Sequence, residues 1–459
     1  MIAESRIRML QPGPEDPKRH YVLYWMQQSQ RVQYNHALNY AIQRANALRL
    51  PLLVVFGLTD QYPEANARHY AFMLEGLEEV QAALRQQGIS FQLDFGSPPQ
   101  IAIAAARQAA LVVCDRGYLR HQRQWRQQVA EATRCPVVEV ESDAVVPTLS
   151  ASNKAEFAAR TIRPKIQRQL ETHLVALPPK RVMCKEADLA KDTDFAAIWK
   201  KLRVDQEVQP VSAHSRGGSA TARRRLRFFL QKVLPDYGRL RNRPEVDGSS
   251  MLSPYLHFGQ ISALEISMAA QRAEAPEEAK EKFLEELIVR RELAINYVWH
   301  NPDYDLYEGL PAWCRKTLAD HRADSRDPIY TEEELTAAAT HDPYWNAAMH
   351  EMKHSGYMHN YMRMYWGKKI LEWSPDPQQA FEITLRLNNR YFLDGRDPNS
   401  YAGVGWIYGL HDRPWQERRI FGQIRYMARS GLERKFDMQA YVEKVHRRSK
   451  VIKTRPSLT

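Results

Sequence analysis

Two rhythms of apolar residues divide the chain. Across the first third, short apolar runs rich in β-branched and aromatic residues stand at 20–26 (HYVLYWM), 51–58 (PLLVVFGL), 89–95 (ISFQLDF), 110–114 (ALVVC) and 136–140 (PVVEV). Between them, stretches at 31–49, 66–87, 98–109 and 118–134 have helix-like spacing. Strands that are apolar on both faces and alternate with helices predict a doubly wound parallel sheet covered on each side. This α/β domain is expected over 20–142, after an N-terminal extension at 1–19. Ligands of such sheets sit at the carboxyl ends of the strands. No GxGxxG follows the first strand, so the usual nicotinamide fingerprint is missing.

From 143 to 215 neither rhythm persists, and Pro147, Pro164, Pro178, Pro179 and Pro210 punctuate the stretch, as expected of an interdomain connection. Beyond it, helical periodicity over 219–233, 255–273, 276–299, 356–373 and 376–389 predicts an all-α domain spanning 216–459. With 459 residues, 44% of them hydrophobic, the chain is long and apolar enough for two or three packed domains and is not a disordered polymer. No apolar run reaches the roughly 18 residues of a membrane span. The start MIAESRIRML lacks the apolar core of a secretory signal. Cys114, Cys135, Cys184 and Cys314 form no CxxC pair, which fits a reducing cytoplasm.

Charge changes the picture more than composition does. The formal charge is +11, but residues 215–243 hold nine Lys/Arg against one acid, and residues 411–459 hold thirteen against five. These two surpluses exceed the net charge, so the rest of the chain is mildly acidic. Solvated basic faces and a phosphate-neutralising surface both fit charge alone.

Two sets of motifs carry candidate chemistry. His350-Glu351-Met352-Lys353-His354 reads HExxH, which places two His on one helical face with a Glu base, as in zinc hydrolases. The extended form fails, because Gly356 and His359 each fall one residue early; Glu372 or Glu382 would have to be the third ligand. The second set is a series: Met251–Gly259 (MLSPYLHFG), Phe283–Leu293 (FLEELIVRREL), Ser355–Trp366 (SGYMHNYMRMYW), Leu387–Tyr391 (LNNRY) and Asp394–Asn399 (DGRDPN). In order and wording this series resembles the flavin-binding domain of the photolyase/cryptochrome family. Ala159–Ile166 (ARTIRPKI) and Gly409–Trp415 (GLHDRPW) narrow the resemblance to class II cyclobutane pyrimidine dimer photolyases. It covers nearly the whole chain.

The resemblance implies FAD in the helical domain, contacted by Tyr237, Ser249, Ser250, Leu252 and Ser253. Arg363 and Asp394 would be paired beside the flavin ring, with Asn388 near its N5, where an amide can accept from the reduced ring or donate to the oxidised one. It makes Glu286 the substrate-side carboxyl, with burial raising its pKa. It assigns Met364, Trp406, Arg413, Trp415 and Arg241 to damaged DNA, and Trp345, Trp366 and Trp373 to re-reduction of the flavin. Val404 stands where the class I proximal tryptophan would be. The α/β domain is then an antenna domain, holding a deazaflavin, a folate or no chromophore. The implied activity is light-driven splitting of pyrimidine dimers in DNA by a monomer.

Taken singly, these residues have ordinary readings. Ser253-Pro254 suits a helix cap, Glu286 suits an ion pair with Arg290 at i+4, and three helical tryptophans suit core packing. A cryptochrome-like photoreceptor and, more remotely, a zinc hydrolase are the alternatives.

Overall fold

The computed structural model describes residues 2–186 and 189–453. Arg455, counted in the second basic segment, lies outside them. All five expected strands form: β2 (Tyr21–Trp25), β3 (Leu52–Leu58), β4 (Ser90–Phe95), β5 (Ala109–Asp115) and β6 (Val137–Val140). They are parallel in the order β6-β5-β2-β3-β4. The helices between them are α1 (His36–Leu48), α2 (Ala67–Gln86), α3 (Pro98–Ala106) and α4 (Arg120–Ala132). Every residue of β2, β3 and β5 is buried, as two-sided helix cover requires.

The N-terminal extension is a correction. Residues Ile7–Gln11 form β1, which pairs antiparallel with β6 at the sheet edge. Its half-exposed IRMLQ has no continuous apolar run, so edge position rather than hydrophobicity makes it a strand.

The remainder is helical, with breaks that periodicity did not predict. The stretch 255–273 splits into Ser253–His257 and Ala263–Arg272. Between them Gly259 has φ +65, and a Cβ there would lie 2.0 Å from the Gln28 carbonyl of the α/β domain. The stretch expected from 356 begins as a helix only at Asn360 and runs to Trp373, because Gly356 at φ +69 closes the preceding helix Pro343–Ser355. Residues 276–299 are helical, with a π-helical turn at Glu285–Arg290.

Buried polar groups join the two domains. Arg31 pairs with Asp143 at 2.6 Å and donates to the Gly259 carbonyl at 2.9 Å. At the start of α2, Asn66 Nδ2 donates to Arg390 O (2.7 Å) and Arg68 Nη1 donates to Tyr391 O (2.6 Å) and Met352 O (3.2 Å). His69 Nδ1 accepts from the Asn66 N–H, which leaves the ring proton on Nε2 to donate to Phe392 O at 3.0 Å. The α/β domain thus grips the end of the helix Pro377–Tyr391, from which Asn388 and Asp394 hang.

Candidate active site

The helix Asn360–Trp373 and the loop after Pro377–Tyr391 bring Arg363 and Asp394 together at 3.0 Å, both largely buried. The Arg363 guanidinium lies 3.7 Å from the Phe392 ring centroid. Its Nε is buried with no partner, an open donor that an acceptor-rich ligand would satisfy. Asn388 is buried one turn away, with Nδ2 donating to Asn389 Oδ1 (3.0 Å) and Ser400 Oγ (2.6 Å).

Ser249, Ser250, Leu252 and Ser253 lie together at the entry to Ser253–His257. Ser249 Oγ and the Tyr357 hydroxyl are 2.9 Å apart, Leu252 is buried, and Ser253 is exposed. The left-handed Met251 (φ +52) turns the backbone into this segment. Tyr237 packs edge-on against Phe229 and Phe283. Burial pushes its phenol up to about 12, so it is a neutral wall of the site.

Glu286 does not pair with Arg290, which lies 3.4 Å from Glu285 instead. The π-turn redirects Glu286 to Arg241, with Arg241 Nη2 donating at 2.6 Å. Arg241 also lies 5.5 Å from the Tyr237 ring centroid. The Glu286 side chain is 39% exposed and ion-paired, so the buried acid expected from the resemblance is not found. A partly exposed guanidinium–carboxylate pair is found in its place.

A cavity of about 690 Å³ holds Met364, Trp406 and Trp415, rimmed by Arg418, Arg425 and Lys435. Arg425 lies 4.3 Å from the Trp415 centroid and 5.4 Å from that of Trp406. Arg413 is exposed, 5.2 Å from the Trp415 ring, and is not a cavity wall. Trp415 Nε1 donates to Asp412 at 3.2 Å, which fixes the indole plane. Arg418, Arg425 and Lys435 belong to the second basic segment, so part of its charge gathers at this mouth.

The three tryptophans form a connected run. Trp366, buried against Phe392 at 6.4 Å, offers its backbone carbonyl to Trp345 Nε1 at 2.9 Å. Trp345 lies 5.6 Å from Trp373, and Trp373 touches Tyr330 (5.4 Å) and the exposed His341 (5.3 Å). Trp366 and Trp373 share a helix face two turns apart. Phe392 links the Arg363 end to this run.

The HExxH segment is built differently from a zinc site. The rings of His350 and His354 stack at 5.9 Å, while Glu351 is buried and accepts from the Tyr441 hydroxyl (2.9 Å) and His359 N (3.3 Å). Glu351 therefore braces the helix Met438–Lys453 and the loop before Asn360. Among the described residues, no three His, Cys, Asp or Glu gather as a metal site.

The chain has relatives among known proteins. The DNA photolyase family model matches residues 22–183. The deoxyribodipyrimidine photo-lyase of Methanothermobacter thermautotrophicus is 47% identical, covering 97% of this chain and 99% of that protein. The chain belongs to the DNA photolyase family. A second member, the Arabidopsis thaliana deoxyribodipyrimidine photo-lyase, is 39% identical over 97% of this chain and 93% of its own. Two solved structures share the fold. One is a class III photolyase from Agrobacterium tumefaciens, with TM-score 0.73 and 20% identity over 96% of this chain and 91% of that one. The other is a photolyase from Sulfolobus tokodaii with two FAD molecules, with TM-score 0.69 and 17% identity over 95% and 94%. Among the described residues, no helix is long and apolar enough to cross a membrane.

One member of the site escaped the sequence reading. Lys368 is fully buried beside Trp406, its ammonium 5.6 Å from the ring centroid and bonded to the Ile407 carbonyl. The signal was a lysine inside the apolar run YWGKKILEW. Burial pulls its pKa down to about 7 against the opposing pull of Asp412. The unfolded chain holds this proton up to the ordinary lysine value, so between about pH 7 and 10 it binds more protons than the fold. Stability contributed here therefore rises with pH across that window and is flat below it. Replacing Lys368 with Met is expected to flatten that slope by close to one proton and to stabilise the protein at neutral pH, as read from urea midpoints between pH 7 and 10. An unchanged slope would mean that Lys368 stays charged in the fold.

Proposed function

We propose that this chain is a class II cyclobutane pyrimidine dimer photolyase, using reduced FAD to split dimers in DNA under blue or near-ultraviolet light. The observation that carries the reading is the pairing of residues from separate motifs. The Arg363–Asp394 pair, buried Asn388 and the Arg241–Glu286 pair come from distant segments of a chain related over nearly its whole length to named photo-lyases.

The residues present fit FAD. The open Nε of Arg363 and the hydroxyls of Ser249, Ser250 and Ser253 suit its acceptors, and Tyr237 and Leu252 give apolar walls. FAD, when bound, supplies light absorption and one-electron donation. The protein's part is orientation and charge. Trp406 and Trp415 offer aromatic faces to a dimer taken out of the stack, which costs least where damage has already weakened pairing. Arg418, Arg425 and Lys435 neutralise flanking phosphates, and exposed Arg413 reaches the vacated duplex. Arg241, held by Glu286, presents a hydrogen-bonded cation to pyrimidine carbonyls as negative charge develops on them.

A small cavity of about 80 Å³ in the α/β domain is the candidate place for part of a second chromophore. Where β2 and β3 end, it is walled by Gln27, Gln30, Tyr62 and Trp125, with His69 and Arg396 closing it from the domain interface. Planar heterocycles such as a deazaflavin or a folate suit such a mixed aromatic and amide lining.

Replacing Glu286 with Ala leaves Arg241 unpaired and mobile. Repair per absorbed photon is expected to fall several-fold while bound FAD is unchanged; an equal quantum yield in a flash-repair assay removes the pair from the mechanism. Replacing Trp366 with Phe interrupts the path from Phe392 to Trp345. Photoreduction of oxidised FAD is expected to slow at least tenfold, with repair by chemically reduced protein spared. Untouched photoreduction would put the electron path elsewhere.

A further inference from the structure

Asn388 and Asn389 are adjacent amides whose oxygen and nitrogen ends must be deduced from their neighbours. Here the neighbours decide. Asn389 Oδ1 receives the backbone N–H of Arg396 at 3.0 Å, and a backbone N–H only donates. Asn389 Nδ2 donates to Glu64 Oε2 at 2.5 Å, and an ionised carboxylate only accepts. Both ends of Asn389 are therefore fixed in sense. The Asn388 atom 3.0 Å from Asn389 Oδ1 has to be its NH2, whose second proton goes to Ser400 Oγ at 2.6 Å. Both amide protons of Asn388 are used within the protein, and the carbonyl is the end left to present.

We infer that Glu64, acting through Asn389, is a positioning residue that holds the Asn388 carbonyl toward the flavin. Glu64 belongs to the α/β domain, on the left-handed turn (φ +56) that leads into α2. It is far in sequence from the flavin motifs and touches neither cofactor nor DNA on the present reading. Its effect follows from hydrogen-bond sense. An acceptor beside N5 suits the reduced ring, whose N5 carries a proton, and does not suit the oxidised ring, whose N5 is itself an acceptor. Without the Glu64 carboxylate, Asn389 is pinned at one end only, and Asn388 can turn its NH2 outward. The α/β domain thereby biases the cofactor toward the redox state that repair needs. This inference rests on the proposed position of Asn388 beside the flavin.

The test is an equilibrium reductive titration of the purified, FAD-loaded full chain against a reference dye, with FAD content and unfolding midpoint as controls. Glu64 is exposed, so its replacement is expected to fold. In Glu64→Met the ratio of oxidised to reduced flavin at a fixed potential should rise about tenfold, a shift of about 30 mV for a two-electron couple. Glu64→Gln, which keeps an oxygen facing Asn389, should match the wild type, and Asn388→Ala should shift at least as far as Glu64→Met. A shift in Asn388→Ala with none in Glu64→Met overturns the role of Glu64. No shift in Asn388→Ala overturns the placement of Asn388 and the inference with it, and a purified chain that takes up no FAD overturns the flavin reading itself. Should Glu64→Met fold poorly, Glu64→Ser is measured in its place against the same expectations.

Discussion

One seam of hydrogen bonds carries the rest of the structure: the turn and first residues of α2 hold four consecutive residues of the helical domain. Glu64, Asn66, Arg68 and His69 bond, in the same order, Asn389, Arg390, Tyr391 and Phe392. Three of these contacts satisfy carbonyls at a helix C-terminus, which otherwise lack intrahelical partners. Arg68 is buried to supply them, and desolvation pulls its pKa down to about 10, which still leaves it charged at neutral pH. A hydrogen bond to a charged group contributes about 1.5–3 kcal/mol, and an orphaned buried carbonyl costs a similar amount. The α/β domain is therefore a structural part of the proposed flavin site.

The same segment sets the neighbouring chemistry. Phe392, whose carbonyl His69 holds, lies against Arg363 on one side and Trp366 on the other. Asp394, two residues on, neutralises Arg363. The three tryptophans then lead away from this point toward Tyr330 and the exposed His341. Trp406 lies apart from them, with Lys368 and Arg425 both near its ring. The Arg425 cation makes this indole harder to oxidise, which suits the stacking role proposed for Trp406.

Much of this was legible in the sequence. Apolar runs located all five parallel strands, because a doubly covered sheet demands continuous burial. They missed β1, whose edge position leaves none of its side chains fully buried. Helical periodicity located the second domain but ran through its breaks, since Gly259 and Gly356 adopt left-handed conformations for tertiary reasons. The motifs brought Arg363 to Asp394 and set Asn388 nearby. They misjudged the environment of Glu286, because a π-turn rotates it from Arg290 toward Arg241, and a one-residue shift in helical phase is invisible to i+4 reasoning. Lys368, Glu64 and Arg68 carried no motif. Their roles depend on contacts between residues up to hundreds of positions apart, and composition cannot register those.

The central claim is that a flavin in this cleft repairs DNA with light. Its most direct test is repair of an oligonucleotide containing one cyclobutane thymine dimer by the FAD-reduced protein, in matched light and dark samples. Restoration of intact thymines in the light alone, with an action spectrum following the reduced flavin, is the predicted result. Tight binding of the damaged strand with no repair in either sample, by protein that carries reduced FAD, would contradict it.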